Sequence, residues 1–295
     1  MAFGLRLKSE MELPELKEGG KGCDVTIRFG KADLSGEVKA VGSFFKATED
    51  EIQFDIKDAG TITVRQGREI IIDPLPHADM NSIRFSITNA AMASVLQHRG
   101  LLVFHASAMA WNGRAAIFMG GPGSGKSTIA AAMHSKGFSV LSDEIVAVAF
   151  PASPPGDGPV VLPGLPHIRL LPQSAQYLGQ DPESMPRIRP DEDKRAYSVR
   201  RGFPENSIPL KRIYILKESC KNCLESLAPQ ASFLEIINNY YTIGMVRAGG
   251  APEHLKNCTK LINFVPIRRL HRADSLHHLP SLIELVRADL ENEPL

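Results

Sequence analysis

The sequence predicts a mixed α/β protein: a small β-rich N-terminal domain, residues 1–80, followed by a larger α/β domain, residues 81–295. Three observations carry that expectation. Before residue 80 the apolar residues come in short alternating or β-branched runs punctuated by Gly and Asp. After Gly100 apolar strand-like runs alternate with helical patterns. Between one such strand and one such helix lies an uninterrupted glycine-rich stretch, Gly120-Gly121-Pro122-Gly123-Ser124-Gly125-Lys126-Ser127.

The elements follow in order. Val25–Gly30, Glu51–Ile56, Thr61–Gly67 and Glu69–Pro74 read as strands of a small antiparallel unit, with a hairpin at Gly67-Arg68. Pro74, Pro76 and the polar residues through Asp79 make a linker. Ile83, Ile87, Ala90, Ala91 and Val95 recur at three- and four-residue steps, which predicts a helix from Ser82 to Gln97 that Gly100 ends. Leu101–Ala110 is an apolar strand interrupted by His105, and Asn112-Gly113 is a hairpin signal leading into the strand Arg114–Gly120. A helix over Ser127–Lys136 and a strand over Phe138–Glu144 follow, and this alternation predicts parallel strands around the glycine-rich stretch. Pro151–Pro166 reads as loop and residues 181–207, charged and Pro-bearing, as a mobile surface segment. Lys211–Leu216 reads as a strand and Ser281–Leu290 as an amphipathic helix.

Composition narrows the function. The chain has 295 residues, 43% hydrophobic and 23% charged, with 34 Lys and Arg against 33 Asp and Glu. A net charge of +1 argues against a nucleic-acid partner, since sequence-independent binding needs concentrated positive charge. No apolar run reaches the roughly 18 residues of a membrane span, and the first residues lack the apolar core of a signal peptide, so the expected compartment is the cytoplasm. Cys220 and Cys223 form a C-x-x-C with Cys23 and Cys258 far away; in a reducing compartment the expectation is thiols with no metal or catalytic role.

The glycine-rich stretch matches the phosphate-binding pattern G-x-x-x-x-G-K-[ST] at every fixed position. Such glycines let backbone N–H groups turn inward around phosphate oxygens, and a helix N-terminus adds its dipole. The expected nucleotide contacts are Gly120, Gly121, Pro122, Gly123, Ser124, Gly125, Lys126, Ser127 and Thr128. Lys126, expected as a partly exposed point charge, would reach the β- and γ-phosphates, and the Ser127 hydroxyl would ligate Mg²⁺.

Asp143 and Glu144 are expected at the carboxyl end of the next strand. Adjacent residues on an extended chain point opposite ways, so one carboxylate is expected to face Mg²⁺ and the other the acceptor. His105, just upstream, reads either as a core histidine or as a partner to a catalytic acid beside a nucleotide.

At these residues the chain resembles the HPr kinase/phosphorylase-like serine kinases. The stretch FHASAMAWNGRAAIFMGGPGSGKSTIAAAMHSKGFSVLSDEIVAV, residues 104–148, has the family's histidine, phosphate-binding loop, helix and strand bearing two acids, with the spacing unbroken. The resemblance implies a P-loop kinase domain of the HPr kinase C-terminal type. It implies His105 as the active-site histidine, Lys126 as the nucleotide lysine, Ser127 and Asp143 as Mg²⁺ ligands, and Glu144 as the catalytic base. The chain departs from the family in carrying Glu rather than Asp at that last position. It also has His167 and Arg169 where bifunctional members supply a second Mg²⁺ acid, and only VRRG (Val199–Gly202) where they have an Arg-bearing phosphorolysis loop. The opening FGL, GREIIIDP and HRGLLVFHASA resemble compact members found with lasso-peptide biosynthesis, which phosphorylate a precursor's C-terminal serine.

The resulting expectation is an ATP- and Mg²⁺-dependent serine kinase. Its partner would be a precursor peptide or small protein offering a Ser hydroxyl, with no nucleic acid and no membrane. The alternatives are a kinase of HPr or a small metabolite, and a non-kinase ATP-dependent switch. A terminal carboxylate would call for cations, drawn from Arg169, Arg187, Arg189, Lys194, Arg195, Arg200 and Arg201; His167, Arg169 and Arg195 are the substrate candidates. Oligomeric state, homo-oligomer included, is not readable.

Overall fold

Short β-branched runs pair into a first sheet of seven strands. In the computed structural model, which describes residues 1–151, 158–189, 191–200, 202–241 and 251–292, these are β1 (Leu7–Ser9), β2 (Val25–Phe29), β3 (Ala40–Val41), β4 (Phe45–Ala47), β5 (Glu51–Ile56), β6 (Gly60–Arg65) and β7 (Glu69–Pro74). Their order is β1-β2-β7-β6-β5-β4-β3. Gln66 and Gly67 both take positive φ, so the β6–β7 hairpin turns on them, one residue before the expected pair. The expected antiparallel unit holds from β7 to β3 and fails at the other edge, where β1 runs parallel to β2 and β2 parallel to β7. A parallel neighbour needs a crossover, and here the entire β3–β6 meander supplies it.

One helical run spans α1 (Met80–Ser86), a π-helical turn (Ile87–Ala91) and α2 (Met92–His98). Asp79 caps it, accepting from the Asn81 and Ser82 amides at 3.3 and 2.8 Å. In the π turn the Thr88 hydroxyl and the Asn89 side-chain amide donate to the Arg84 and Phe85 carbonyls, satisfying groups that the wider turn leaves loose. Gly100, at φ 77, ends the run with Gly100 N–H on Gln97 O and Leu101 N–H on Leu96 O, a Schellman closure.

The second sheet is built from β8 (Leu102–Trp111), β9 (Arg114–Met119), β10 (Ser139–Ala149), β11 (Val160–Leu162), β14 (Ile208–Ser219), β15 (Cys223–Ser226) and β16 (Ile267–Ala273). Its order is β11-β10-β8-β9-β14-β16-β15. Among its described strands, only the β9–β14 and β14–β16 pairings are parallel. The β8–β9 hairpin, turning on Asn112 and Gly113, inserts antiparallel β8 between β9 and β10. The parallel arrangement expected around the glycine-rich stretch is therefore only partly present, because the type I′ turn folds β8 back first. β11 also pairs with the start of β14, so the sheet curls and encloses Phe104, Ala108, Ile117 and Ile213.

Around it lie α3 (Lys126–Ser135), α4 (Pro172–Tyr177), α5 (Pro229–Asn238), α6 (Ala251–Phe264) and α7 (Leu279–Glu291). Among the described residues no helix is long and apolar enough to cross a membrane. β12 (His167–Leu170) and β13 (Arg195–Ser198) form a separate pair. The segment expected as mobile surface thus contains strand β13, and Arg195, Val199 and Phe203 within that segment are buried. Likewise the expected loop before Pro166 contains β11.

The core of the first sheet, with Ile27, Ile62 and Ile83, runs on into Val103, Ile145 and Ala147 of the second. A second cluster packs α3 and α7 on the other sheet face through Met109, Phe118, Ile129 and Val286. Asp289 of α7 is locked there by Tyr214 Oη at 2.7 Å, Arg212 Nε at 3.3 Å and the Arg268 guanidinium.

Candidate active site

The glycine-rich stretch turns from the end of β9 into α3. Gly123 and Gly125 hold φ of 77 and 90, a region that strains any residue with a Cβ. Gly125 is also the N-cap of α3 and offers no side chain to the first-turn amides. Those donors and the helix dipole are thus left for an anion. The Ser124 hydroxyl is buried in this loop without a hydrogen-bond partner.

Lys126 is buried rather than partly exposed, at 8% exposure. Its Nζ donates to the carbonyls of Gly120 at 2.8 Å and Gly121 at 3.1 Å. Burial pulls its pKa down, and the charges of Glu144 and Asp143 partly restore it. The lysine folds back over the loop, meeting the Gly120 carbonyl and sharing that of Gly121 with the Ser124 N–H.

Ser127 donates to Asp143 Oδ1 at 3.1 Å, and Ser107 Oγ donates to the same oxygen. The Arg169 backbone N–H donates to Oδ2 at 2.9 Å. Burial and the neighbouring Glu144 charge raise the Asp143 pKa, against these three hydrogen bonds. Thr128, expected among the phosphate contacts, instead has its hydroxyl 2.9 Å from that of Ser174 on α4.

The two acids sit within β10, not at its end, next to a register shift between Val140 and Ser142. Glu144 has φ 72. That left-handed residue breaks the strand's alternation. Asp143 meets Ser107 and Glu144 meets His105, two residues of β8 that share a face. The expectation that the acids point opposite ways is overturned for this reason. Glu144 Oε2 lies 3.7 Å from His105 Nδ1, and Oε1 accepts from Lys194 Nζ at 2.8 Å. Burial opposes its ionisation, but the charges of Arg169, Lys194 and His105 outweigh burial and hold it below the usual carboxylate range. His105 is lowered by burial, with Glu144 opposing.

His105, Gly120, Gly121 and Pro122 line one cavity of about 380 Å³. His167 and Arg169 line another, of about 430 Å³. Burial and the Arg169 charge push His167 down to about 3, so its imidazole is neutral. Arg195 lines neither cavity; its guanidinium donates to the carbonyls of Pro182 and Asp193. Arg201 lies outside the described residues. Ser107 and Asn89 escaped the sequence reading. Ser107 stands two residues from His105 on one strand, a spacing that shares a face and could have flagged it.

The donor set suits a hard cation and a polyphosphate. Ser127 and Asp143 offer oxygen ligands, and Mg²⁺ typically takes one or two carboxylates and completes its shell with water and phosphate oxygens. The uncapped amides, the unpartnered Ser124 hydroxyl and Lys126 would hold the phosphates.

No protein-family model matches the chain, and no curated protein matches it. Among solved structures it is similar to the Hpr(Ser) kinase/phosphatase from Coxiella burnetii at 8% identity and a TM-score of 0.35, covering 63% of this chain and 95% of that one. Likeness at that level leaves the chemistry to be read from the residues themselves.

Proposed function

We propose that this chain is an ATP-dependent kinase of the HPr kinase-like type that transfers the γ-phosphoryl group to a peptide serine hydroxyl, the favoured acceptor being the C-terminal serine of a lasso-peptide precursor. The observation that carries the kinase reading is the convergence of Asp143 and Glu144 on one face. Asp143 is bound to Ser127 at the uncapped start of α3, and Glu144 stands free of that network beside His105 and Lys194. The lasso-type acceptor rests on sequence resemblance.

Each residue has a task in this reading. The α3 amides, Ser124 and Lys126 bind the phosphates, with Lys126 exchanging its loop carbonyls for phosphate oxygens. Ser127 and Asp143 would hold Mg²⁺, which would supply positive charge for the transfer. Glu144 orients the serine hydroxyl and collects its proton as the serine Oγ–phosphorus bond forms and the bond to the ADP oxygen breaks. A carboxylate held so acidic is a modest base. Phosphoryl transfer, however, asks mainly for alignment and charge compensation, and release of Lys194 toward the transferring group would make Glu144 more basic at that moment.

The test uses ATP labelled at the γ position, Mg²⁺ and three acceptors: a precursor peptide ending in Ser, the same peptide extended beyond that Ser, and HPr. The expected result is label on the first, mapped to its terminal serine by mass spectrometry and lost in Lys126→Met. Transfer to HPr alone would move the acceptor. ATP hydrolysis without transfer to any acceptor would replace the kinase by a switch.

A further inference from the structure

We propose that the cavity between α1 and the β12–β13 pair is a carboxylate-binding subsite for the acceptor; its acceptor role rests on the kinase reading, its anion binding does not. The cavity, about 430 Å³, is lined by Arg84, Arg169, Arg187 and Arg200, against a single carboxylate, Glu15. Glu15 stands 3.8 Å from Arg84 Nε and so partly matches that one arginine. Arg200 spends its hydrogen bond on the Pro14 carbonyl and Arg169 on the Asn89 side-chain oxygen at 3.0 Å, both neutral. Arg187 is exposed at the lip. Glu144, outside the walls, meets part of the Arg169 charge, and the remaining arginines leave the cavity with positive charge that its own walls do not cancel.

Two of these arginines are also built in rather than loose. Arg169 is only 4% exposed and lies 4.5 Å from the Phe85 ring centroid, a cation–π contact that fixes its plane. Its Nε is buried without a partner, as is Arg84 Nε. A buried guanidinium N–H with no acceptor is costly, and a carboxylate oxygen entering the cavity would supply one. Arginine's planar fork matches a carboxylate through paired hydrogen bonds.

The remaining walls set the ligand's body. Phe85, Ile188 and the prolines 14, 166 and 186 are apolar, so the anion is one carried on an organic group rather than a bare inorganic ion. Position assigns the site to the acceptor side. Arg169 lines the cavity with its side chain while its backbone N–H touches Asp143. A carboxylate held there lies next to the hydroxyl that Glu144 would orient. It can come from a chain terminus or from an acidic side chain.

Calorimetric titration of the full chain without ATP tests this with acetyl-Phe-Ala-Ser as the free acid, the same peptide as its amide, and acetyl-Glu-Ala-Ser amide. At least one acid should bind about tenfold or more tightly than the neutral amide, the scale of one charge-assisted hydrogen bond. The preferred acid identifies the source. Arg187→Gln, at an exposed residue, and independently Arg200→Gln should erase most of that preference and leave neutral-peptide binding unchanged. Equal binding of the three peptides to the unmodified chain would overturn the subsite, as would a preference surviving in both variants. Discrimination without any phosphoryl transfer would keep the subsite and remove the kinase. Transfer without discrimination would do the reverse.

Discussion

Lys194 Nζ donates to Glu144 Oε1 across 2.8 Å, tying the charged segment before β13 to the strand that carries both acids. The pair is partly buried, the lysine side chain 30% and the glutamate side chain 12% exposed. Burial lowers the Lys194 pKa and the Glu144 contact more than restores it, so both groups are charged at neutral pH. In the proposed kinase reading, a lysine beside this acid is placed to follow negative charge onto a transferring phosphoryl group.

Lys194→Met is expected to lower kcat by about 10²-fold, the effect of losing one preorganised charge donor, with the KM for ATP moving much less. Lys194→Arg should recover part of the loss, since the charge is kept while the reach changes. Steady-state kinetics check both. A methionine variant within twofold of the unmodified chain would leave Lys194 without a role in transfer.

The two acids should separate by variant. Glu144→Gln keeps shape but accepts no proton, so turnover should fall about 10²–10⁴-fold while ATP binding holds. Asp143→Asn should instead shift the Mg²⁺ dependence and lower the melting temperature. Three donors converge on that carboxylate, and an amide turns one of its two acceptors into a donor. The opposite pattern would exchange the roles.

Asp79 gives a stability prediction with a defined pH sign. Burial raises its pKa, but hydrogen bonds from Ser82 and Asn81 outweigh it and leave the folded value depressed. Its contribution is therefore present above the unfolded value of about 4 and is lost as pH falls through the lower folded value. Asp79→Ala should cost about 1 kcal/mol at pH 7, and the gap should narrow as pH drops below about 4. Asp79→Asn should keep most of the cap without the acid dependence. Denaturant melts across pH read this, and a gap constant down to pH 2.5 would contradict the cap's ionic share.

Asp289 should dominate the anchoring of α7. It is 5% exposed and faces Arg212, itself 1% exposed, with Arg268 and Tyr214. Asp289→Ala leaves a buried guanidinium without its counter-charge and should destabilise by about 3–5 kcal/mol. Tyr214→Phe, losing one hydrogen bond, should cost about 1 kcal/mol. A loss below the tyrosine variant's would mean the buried arginine finds another partner.

Much of this was legible in the sequence where the signal is local. Asn112-Gly113 names its own turn, Gly100 its own helix end, and the glycine-rich stretch its place between β9 and α3. What escaped depends on contacts far along the chain. β2 pairs with β7 only after a meander has closed, and β12 finds β13 across α4. Arg195, expected as a substrate cation, is instead held by backbone carbonyls, which carry no residue signature. The convergence of Asp143 and Glu144 hung on a single left-handed glutamate, a conformation that side-chain alternation cannot anticipate.

The π turn at Ile87–Ala91 gives one helix two audiences. A regular helix advances about 100° per residue, so one residue housed in a wider turn offsets the phase of everything beyond it. N-terminal to the turn, Arg84 and Phe85 look into the arginine-lined cavity while Ile83 enters the core. C-terminal to it, Val95 and Leu96 take over the core, and within it Asn89 is aimed at Arg169. Deleting one residue from this turn would restore the regular helical phase and rotate the cavity wall away while leaving composition and hydrophobicity almost untouched. Chain length at this point is thus a dial on the shape and charge of the cavity wall, turned by insertion or deletion rather than by substitution.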